Sequence, residues 1–227
     1  MTRTDQPAPA AGTRRFVPAA GRASLTALYD PVIALTMRER TFRGRLLNQT
    51  LADLDGHAPR LVDIGCGTGT FSLELTRARP DAEVIGIDGD PAILERARSK
   101  PGARRVTWHP ARADELPLED TTADRAICSL LLHHLAPETR QQALAEVRRI
   151  LRPGGRLHIA DWGRPRDGLT TVGAWLLQRV DGVRNTQDLI AGRLPALLNT
   201  AGFDDIVIHD RFRTPWGTLE HTSATRL

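Results

Sequence analysis

The sequence predicts an α/β fold: a seven-stranded, mostly parallel sheet with helices on both faces and an antiparallel pair of strands at its C-terminal end. Three observations carry that prediction. Short apolar runs of strand length, Leu61–Ile64, Glu83–Asp88, Ala123–Leu132 and Arg156–Trp162, alternate with helical patterns, which is the order of βαβ units. The run Ala123–Leu132 is apolar on both faces, as a strand inside a parallel sheet must be. The first run stops at glycines on alternate positions, Gly65, Gly67 and Gly69, and a helical pattern follows at once. Strand, tight turn and helix together bring backbone N–H groups and a positive helix terminus up to a nucleotide-like ligand.

Bulk properties narrow the function classes. A chain of 227 residues fits one domain with a sizeable core, and 41% hydrophobic with 26% charged residues is ordinary for a globular protein. The net charge is +4, and the basic residues are nearly all arginine, with Lys100 the single lysine. They are scattered among Asp and Glu, so no basic stripe points to nucleic acid. Two cysteines, Cys66 and Cys128, make neither a disulfide framework nor a metal cluster and read as a reduced chain. No run reaches the length of a membrane span, and the N-terminus has no apolar signal core, so a cytoplasmic location without membrane insertion is expected.

Residues 1–22, rich in Pro, Ala and Arg, read as a disordered tail, and 23–227 as the domain. Within it, 23–56 reads as an N-terminal helical cap. Ser24 can cap a first helix, Pro31 interrupts it, and Leu35, Phe42 and Leu46 recur on one line with Leu47, Leu51 and Leu54 on another. A helix over 70–78 ends at Pro80. Asp90-Pro91 caps the next, over 92–99, and 105–108 is a short third strand. Pro137 opens a helix with Leu144, Val147 and Leu151 on one face, and Arg152-Pro153-Gly154-Gly155 stops it. Residues 169–180 are an apolar-rich segment within 167–183 that reads either as an insertion making a lid or acceptor pocket or as an ordinary core helix. A last helix over 188–201 stops at Gly202, and strands over 203–213 and 216–225 join at Pro215.

The chemistry concentrates in the glycine turn. The dinucleotide fingerprint spaces its glycines G-x-G-x-x-G near a pyrophosphate, whereas here the string is Asp63-Ile64-Gly65-Cys66-Gly67-Thr68-Gly69, a G-x-G-x-G led by an acid. Asp88 follows Gly65 by 23 residues and closes the second apolar run, the expected place for a carboxylate that accepts from ribose hydroxyls. The D-x-G-x-G-x-G string resembles the first motif of the class I S-adenosylmethionine-dependent methyltransferases. The segments L-L-H-H-L and L-R-P-G-G-R-L look like that family's later signatures, so the resemblance covers about residues 60 to 165.

That resemblance implies a Rossmann-like fold, S-adenosylmethionine as cofactor, and methyl transfer to a small-molecule acceptor, with a homodimer as a compatible assembly. The acceptor group it most resembles contains the quinone-biosynthesis C-methyltransferases, and Trp162 and Trp175 suit either an aromatic acceptor or the core. The implied cofactor-binding residues are Tyr29, Asp63, Gly65, Cys66, Gly67, Asp88, Gly89, Arg112, Ala113, Asp114, Ser129 and Leu130. Tyr29 either reaches the methionine carboxylate or packs. Arg112 stands where the family carries an acid for the adenine amino group, so either Asp114 substitutes or main-chain groups around Ala113 hold the base. His133 and His134 are the catalytic candidates, since imidazole suits a general base and they follow the fourth strand at the sheet's ligand-binding edge. Asp161, at the end of the fifth strand, can orient one of them or bind the acceptor. His158 reads as an interior residue and His109 as peripheral. Two other classes stay open, a nicotinamide-dependent oxidoreductase and a non-catalytic cofactor-binding subunit.

Overall fold

The computed structural model describes residues 39–54 and 58–227. Tyr29, the 1–22 tail and the first part of the cap lie outside the described residues. The helix α1 is Glu39–Leu51, and β1 (Arg60–Ile64), α2 (Thr70–Ala78), β2 (Glu83–Asp88), α3 (Pro91–Arg98) and β3 (Val106–Pro110) follow. Then come β4 (Ala123–Ser129), α4 (Pro137–Ile150), β5 (Leu151–Gly163), α5 (Gly168–Asp181), α6 (Val183–Ile190), α7 (Leu194–Thr200), β6 (Asp204–Thr214) and β7 (Gly217–Thr225).

The seven strands make one sheet in the order β3-β2-β1-β4-β5-β7-β6. The first five strands are parallel, and β7 runs antiparallel to both β5 and β6. The chain therefore reverses direction across the sheet between β1 and β4, which opens a crevice at the carboxyl ends of these strands, where open α/β sheets bind ligands.

The strands alternate their side chains between two cores. Val62, Ile64, Ile85, Cys128 and Ile159 pack with Leu144, Val147 and Ile150 of α4 and with Leu189, Leu194 and Leu198 of α6 and α7. On the opposite face Leu61, Val84, Ile127 and Ala160 pack with Phe42 and Leu46 of α1, Phe71, Leu73 and Leu75 of α2, and Leu177 of α5. Of the periodic apolar line expected in the cap, Phe42 and Leu46 are buried, and Leu35 lies outside the described residues. Trp162 is core, 4% exposed.

The strands and helices before residue 165 sit near their expected places, except that β5 begins at Leu151. Leu151 and the 152–155 stretch therefore belong to the strand and not to the helix and its stop. Asp90 does cap α3, accepting from Ala92 N–H at 2.9 Å. Two further expectations are corrected. The last helix is not continuous over 188–201: α6 ends at Ile190, Gly192 takes a φ of +74°, and Pro195 sits in the first turn of α7. A left-handed residue closes one helix, and a proline with no N–H to give suits the start of another. The fourth strand stops at Ser129 instead of Leu132, because Leu130 turns left-handed and a 3₁₀ turn takes Leu132–His134. The segment 169–180 is helical: α5 opens with a reciprocal capping box between Asp167 and Thr170. No helix among the described residues is long and apolar enough to cross a membrane.

Candidate functional site

The turn after β1 is built from backbone that only glycine adopts cheaply. Gly65, Gly67 and Gly69 have φ of +71°, +53° and +72°. A Cβ on Gly65 would lie 2.7 Å from Leu131 Cδ1, and one on Gly69 would lie 2.3 Å from the Trp108 ring. At Gly67 it would meet nothing within 4 Å among the described residues, because that α-carbon faces a cavity of about 340 Å³. The cavity is lined by Phe42 and Arg43 of α1, Asp63, the turn Gly65–Thr68, Thr70 and Phe71 of α2, Ile93 of α3, and Ser129 and Leu130 after β4. Leu130 is a bulky residue at φ +54°, fixed there by its N–H donating to Ala160 O at 2.8 Å. Such strain is typical of residues that shape a binding site.

The turn's own N–H groups are spent on the neighbouring strand β2 and on the turn itself. Gly65 and Cys66 both donate to Ile87 O, Gly69 donates to Cys66 O, and Gly67 donates to Asp88 Oδ2 at 2.9 Å. What faces the cavity instead is a carboxylate. Asp63 is 2% exposed and accepts from Ser72 Oγ at 2.5 Å. Burial pushes its carboxyl up to about 7; the Ser72 hydrogen bond opposes this and the charge of Asp88 adds to it. Burial likewise pushes the Cys66 thiol far up, so it is no nucleophile.

Asp88 does not line this cavity. It clamps the turn to β2, taking Gly67 N–H on one oxygen and Asp90 N–H on the other. Each oxygen keeps a second lone pair for a ligand hydroxyl. Arg112 and Asp114 pair with each other in a fork, Nε to Oδ1 at 2.9 Å and Nη2 to Oδ2 at 2.7 Å. Ala111 N–H donates to Asp88 O, which holds the segment carrying Ala113 against the end of β2.

His133 and His134 also lie outside the cavity lining, on the 3₁₀ turn after β4. His133 is buried, with Nδ1 2.7 Å from Asp161 Oδ1. Asp161 is held in turn by Leu132 N–H on Oδ2 and Trp162 N–H on Oδ1. Burial pulls the His133 imidazole down, but the charge and hydrogen bond of Asp161 outweigh it and raise the group overall. Burial and the charge of His133 push His134 down to about 3. His158 is interior, as its mid-strand place suggests, but among the described residues neither ring nitrogen finds the hydrogen-bond partner expected of a satisfied core histidine. The carbonyls of this turn are gripped from below by Arg140 of α4, which is 1% exposed and donates to Leu132 O and Leu135 O at 3.0 Å and to Asn185 O.

Residues 61–155 match the family model described as a methyltransferase domain. The chain is 37% identical over 121 residues to the demethylmenaquinone methyltransferase of Deinococcus radiodurans, over 52% of this chain and 49% of that protein. It is 32% identical over 192 residues to the malonyl-[acyl-carrier protein] O-methyltransferase of Methylococcus capsulatus, over 79% of this chain and 68% of the relative. This chain belongs to the S-adenosylmethionine-dependent methyltransferases. It spans about half the length of the Deinococcus relative. The fold is shared with an S-adenosylmethionine-dependent methyltransferase of Thermotoga maritima described as a possible histamine N-methyltransferase. That match has a TM-score of 0.66 and 22% identity, over 90% of this chain and 97% of the other.

The residues present fit the family's cofactor. A pyrophosphate needs free N–H donors, and four N–H groups of this turn are already spent. A sulfonium with an ammonium group needs an anion and room, and Asp63 and the open face of Gly67 offer both. Of the cofactor residues expected from the methyltransferase motifs, Asp63, Gly65, Cys66, Gly67, Ser129 and Leu130 come together around one cavity. Asp88, Gly89, Arg112, Ala113 and Asp114 are not among the residues lining it. Phe42, Arg43, Phe71 and Ile93 were not singled out by motif. An apolar helical line names Phe42 as a buried residue, but only the approach of α1 to the turn makes it part of a wall. Lys100, the single lysine, donates to Thr68 Oγ1 at 3.0 Å and Thr70 Oγ1 at 2.8 Å and ties the cavity rim to the end of α3.

Proposed function

We propose that the protein transfers a methyl group from S-adenosylmethionine to a small acceptor of aromatic or otherwise apolar character, mainly by holding the two reactants together. The observation that carries this is the cavity over the glycine turn, floored by the buried Asp63 carboxylate and open at Gly67. When bound, S-adenosylmethionine supplies a methyl carbon already activated by its sulfonium for in-line displacement. The protein's residues then have a positioning task. Asp63 and the turn hold the cationic end, Asp88 accepts from the ribose, and the segment Arg112–Asp114 borders the adenine. Alignment of two reactants at 3–3.5 Å can lower a barrier by roughly 7–11 kcal/mol without any strong acid or base.

The acceptor class is supported by two things. One relative is named for demethylmenaquinone, an apolar quinone. Helix α5 also presents Leu169, Val172, Trp175 and Leu176 to solvent, with Arg179 stacked 4.4 Å over the Trp175 ring. Where the acceptor must lose a proton, His133 is the candidate base, since Asp161 fixes its Nδ1 and leaves Nε2 as the acceptor. The two free cysteines fit a reducing, cytoplasmic setting.

Calorimetry with S-adenosylhomocysteine and with NAD tests the cofactor assignment, and an acceptor screen with radiolabelled S-adenosylmethionine tests the acceptor. Binding of NAD in place of S-adenosylhomocysteine, or full binding by Asp88→Ala, would sink the reading. For the base, His133→Ala should cut turnover by about 10²-fold or more; unchanged turnover would show that positioning suffices.

A further inference from the structure

Beside the cofactor cavity, three metal-ligating side chains converge from two elements. His133 Nε2 lies 3.8 Å from Asp181 Oδ2, and His134 Nδ1 lies 4.0 Å from Asp181 Oδ1. One ligand atom from each residue can be chosen so that all three lie within 4.8 Å of one another. In a tetrahedral site with metal–ligand bonds of about 2.0–2.1 Å, donor atoms stand about 3.4 Å apart, so a small inward movement closes the set.

The surroundings of the triad point to a ligand. Asp181 is the last residue of α5, and its side chain is 8% exposed. Among the described residues its carboxylate faces the two imidazoles at 3.8 Å and 4.0 Å, with no partner at hydrogen-bond distance. A carboxylate so placed needs a positive partner. In its neutral form His133 presents the Nε2 lone pair on that side, with its Nδ1–H given to Asp161 at 2.7 Å. A carboxylate behind a histidine, fixing its tautomer and ring, is the arrangement that orients metal-bound imidazoles. Asp161 is itself fixed by two backbone N–H groups, and Arg140 fixes the turn by its carbonyls. Two carboxylates, Asp161 and Asp181, flank one imidazole, and a divalent cation balances them. His134 is 33% exposed at its side chain, which leaves an entry path and an open coordination position.

We propose that His133 Nε2, His134 Nδ1 and the Asp181 carboxylate bind a first-row divalent cation of the zinc type, with Asp161 as the carboxylate that orients His133. Two imidazoles and one carboxylate are a donor set that suits such ions and disfavours magnesium or calcium, which prefer all-oxygen shells. The binding does not depend on the methyl-transfer reading, since it requires neither cofactor nor acceptor. It does compete with the base role, because a metal ion on Nε2 occupies the lone pair that a base would use.

The test is a calorimetric titration of ZnCl2 into tag-free, chelator-stripped full-length protein, repeated with Co²⁺ and visible absorption. One equivalent should bind to the wild type. Asp181→Asn and His134→Gln should each weaken binding about tenfold or more, and Asp161→Asn by about 10–100-fold. His109→Ala should leave it unchanged, and circular dichroism checks that each variant is folded. Should Asp181→Asn fail to fold, His134→Gln on the partly exposed turn decides. No saturable one-to-one binding at about 100 µM Zn²⁺, or undiminished binding in a folded Asp181→Asn or His134→Gln, overturns the proposal. That result would leave the methyltransferase assignment and the base role of His133 standing.

Discussion

Replacing Asp63 by Asn should stabilise the cofactor-free protein while weakening its hold on the cofactor. In the unfolded chain the carboxyl titrates at its ordinary 3.8, and in the folded chain at about 7. Between those values the folded state holds a proton the unfolded state has released. Raising the pH from about 4 to about 7 therefore withdraws stability, and the loss is complete above the folded value. About three pH units at about 1.4 kcal/mol each give roughly 4 kcal/mol for leaving this buried group charged. An Asn keeps an oxygen for the Ser72 hydroxyl but must place two amide hydrogens, so the expected gain at about pH 8 is about 2–3 kcal/mol. For a domain of this size that is a rise in melting temperature on the order of 5–10 °C. The same change removes the anion that faces a cationic ligand, a loss of about 1.5–3 kcal/mol, or roughly 10–150-fold in affinity. Differential scanning calorimetry of both proteins at about pH 5 and pH 8, with S-adenosylhomocysteine titrations alongside, measures both effects. Equal melting at the higher pH, or undiminished binding by the variant, refutes the reasoning.

Three further outcomes follow from the packing. Gly69→Ala places a residue at φ +72° and its Cβ against the Trp108 ring; strain of about 1–2 kcal/mol plus overpacking of about 1–3 kcal/mol should appear as a fall in stability by urea denaturation, with loss of cofactor binding. His158, His209 and His221 stack across β5, β6 and β7, with ring centroids 5.9 Å and 5.2 Å apart. Both nitrogens of His158 and His221 are buried with no hydrogen-bond partner among the described residues. Burial holds His221 at about 4 and the other two below their usual value, so the folded chain binds fewer protons than the unfolded chain below about pH 6.5. Stability should be full above that pH and fall toward pH 4, by about 2–3 kcal/mol from His221 alone, and His221→Leu should flatten the thermal pH profile over this window. Arg140→Leu strands the carbonyls of Leu132, Leu135 and Asn185 and should cost more than about 3 kcal/mol by denaturant titration.

Much of the fold was legible because its determinants are local. The strand Glu83–Asp88, the helix Thr70–Ala78 and the Asp90-Pro91 cap each depend on residues within one turn or one pleat of themselves. The splitting of the last helix was less legible, since Gly192 and Pro195 compete with an apolar spacing that runs through both halves. The end of β4 at Ser129 could not be read from composition. Leu130 and Leu131 are as apolar as the strand before them, and the chain turns because Leu131 must cover Gly65 and Leu130 must meet Ala160.

By itself the sequence determined the glycine turn, its leading acid and the carboxylate 23 residues on, because φ angles and close approach are properties of single residues and their spacing. Only the tertiary structure decided what the turn presents. Its N–H groups are consumed by Ile87, Cys66 and Asp88, partners supplied by the neighbouring strand and by the turn itself, and so the cavity offers a buried anion where a pyrophosphate would need donors. Likewise the pair His133-His134 was visible in the chain, but Asp161 and Asp181 reach it from 28 and 48 residues further along, through sheet pairing and helix packing that no local pattern encodes.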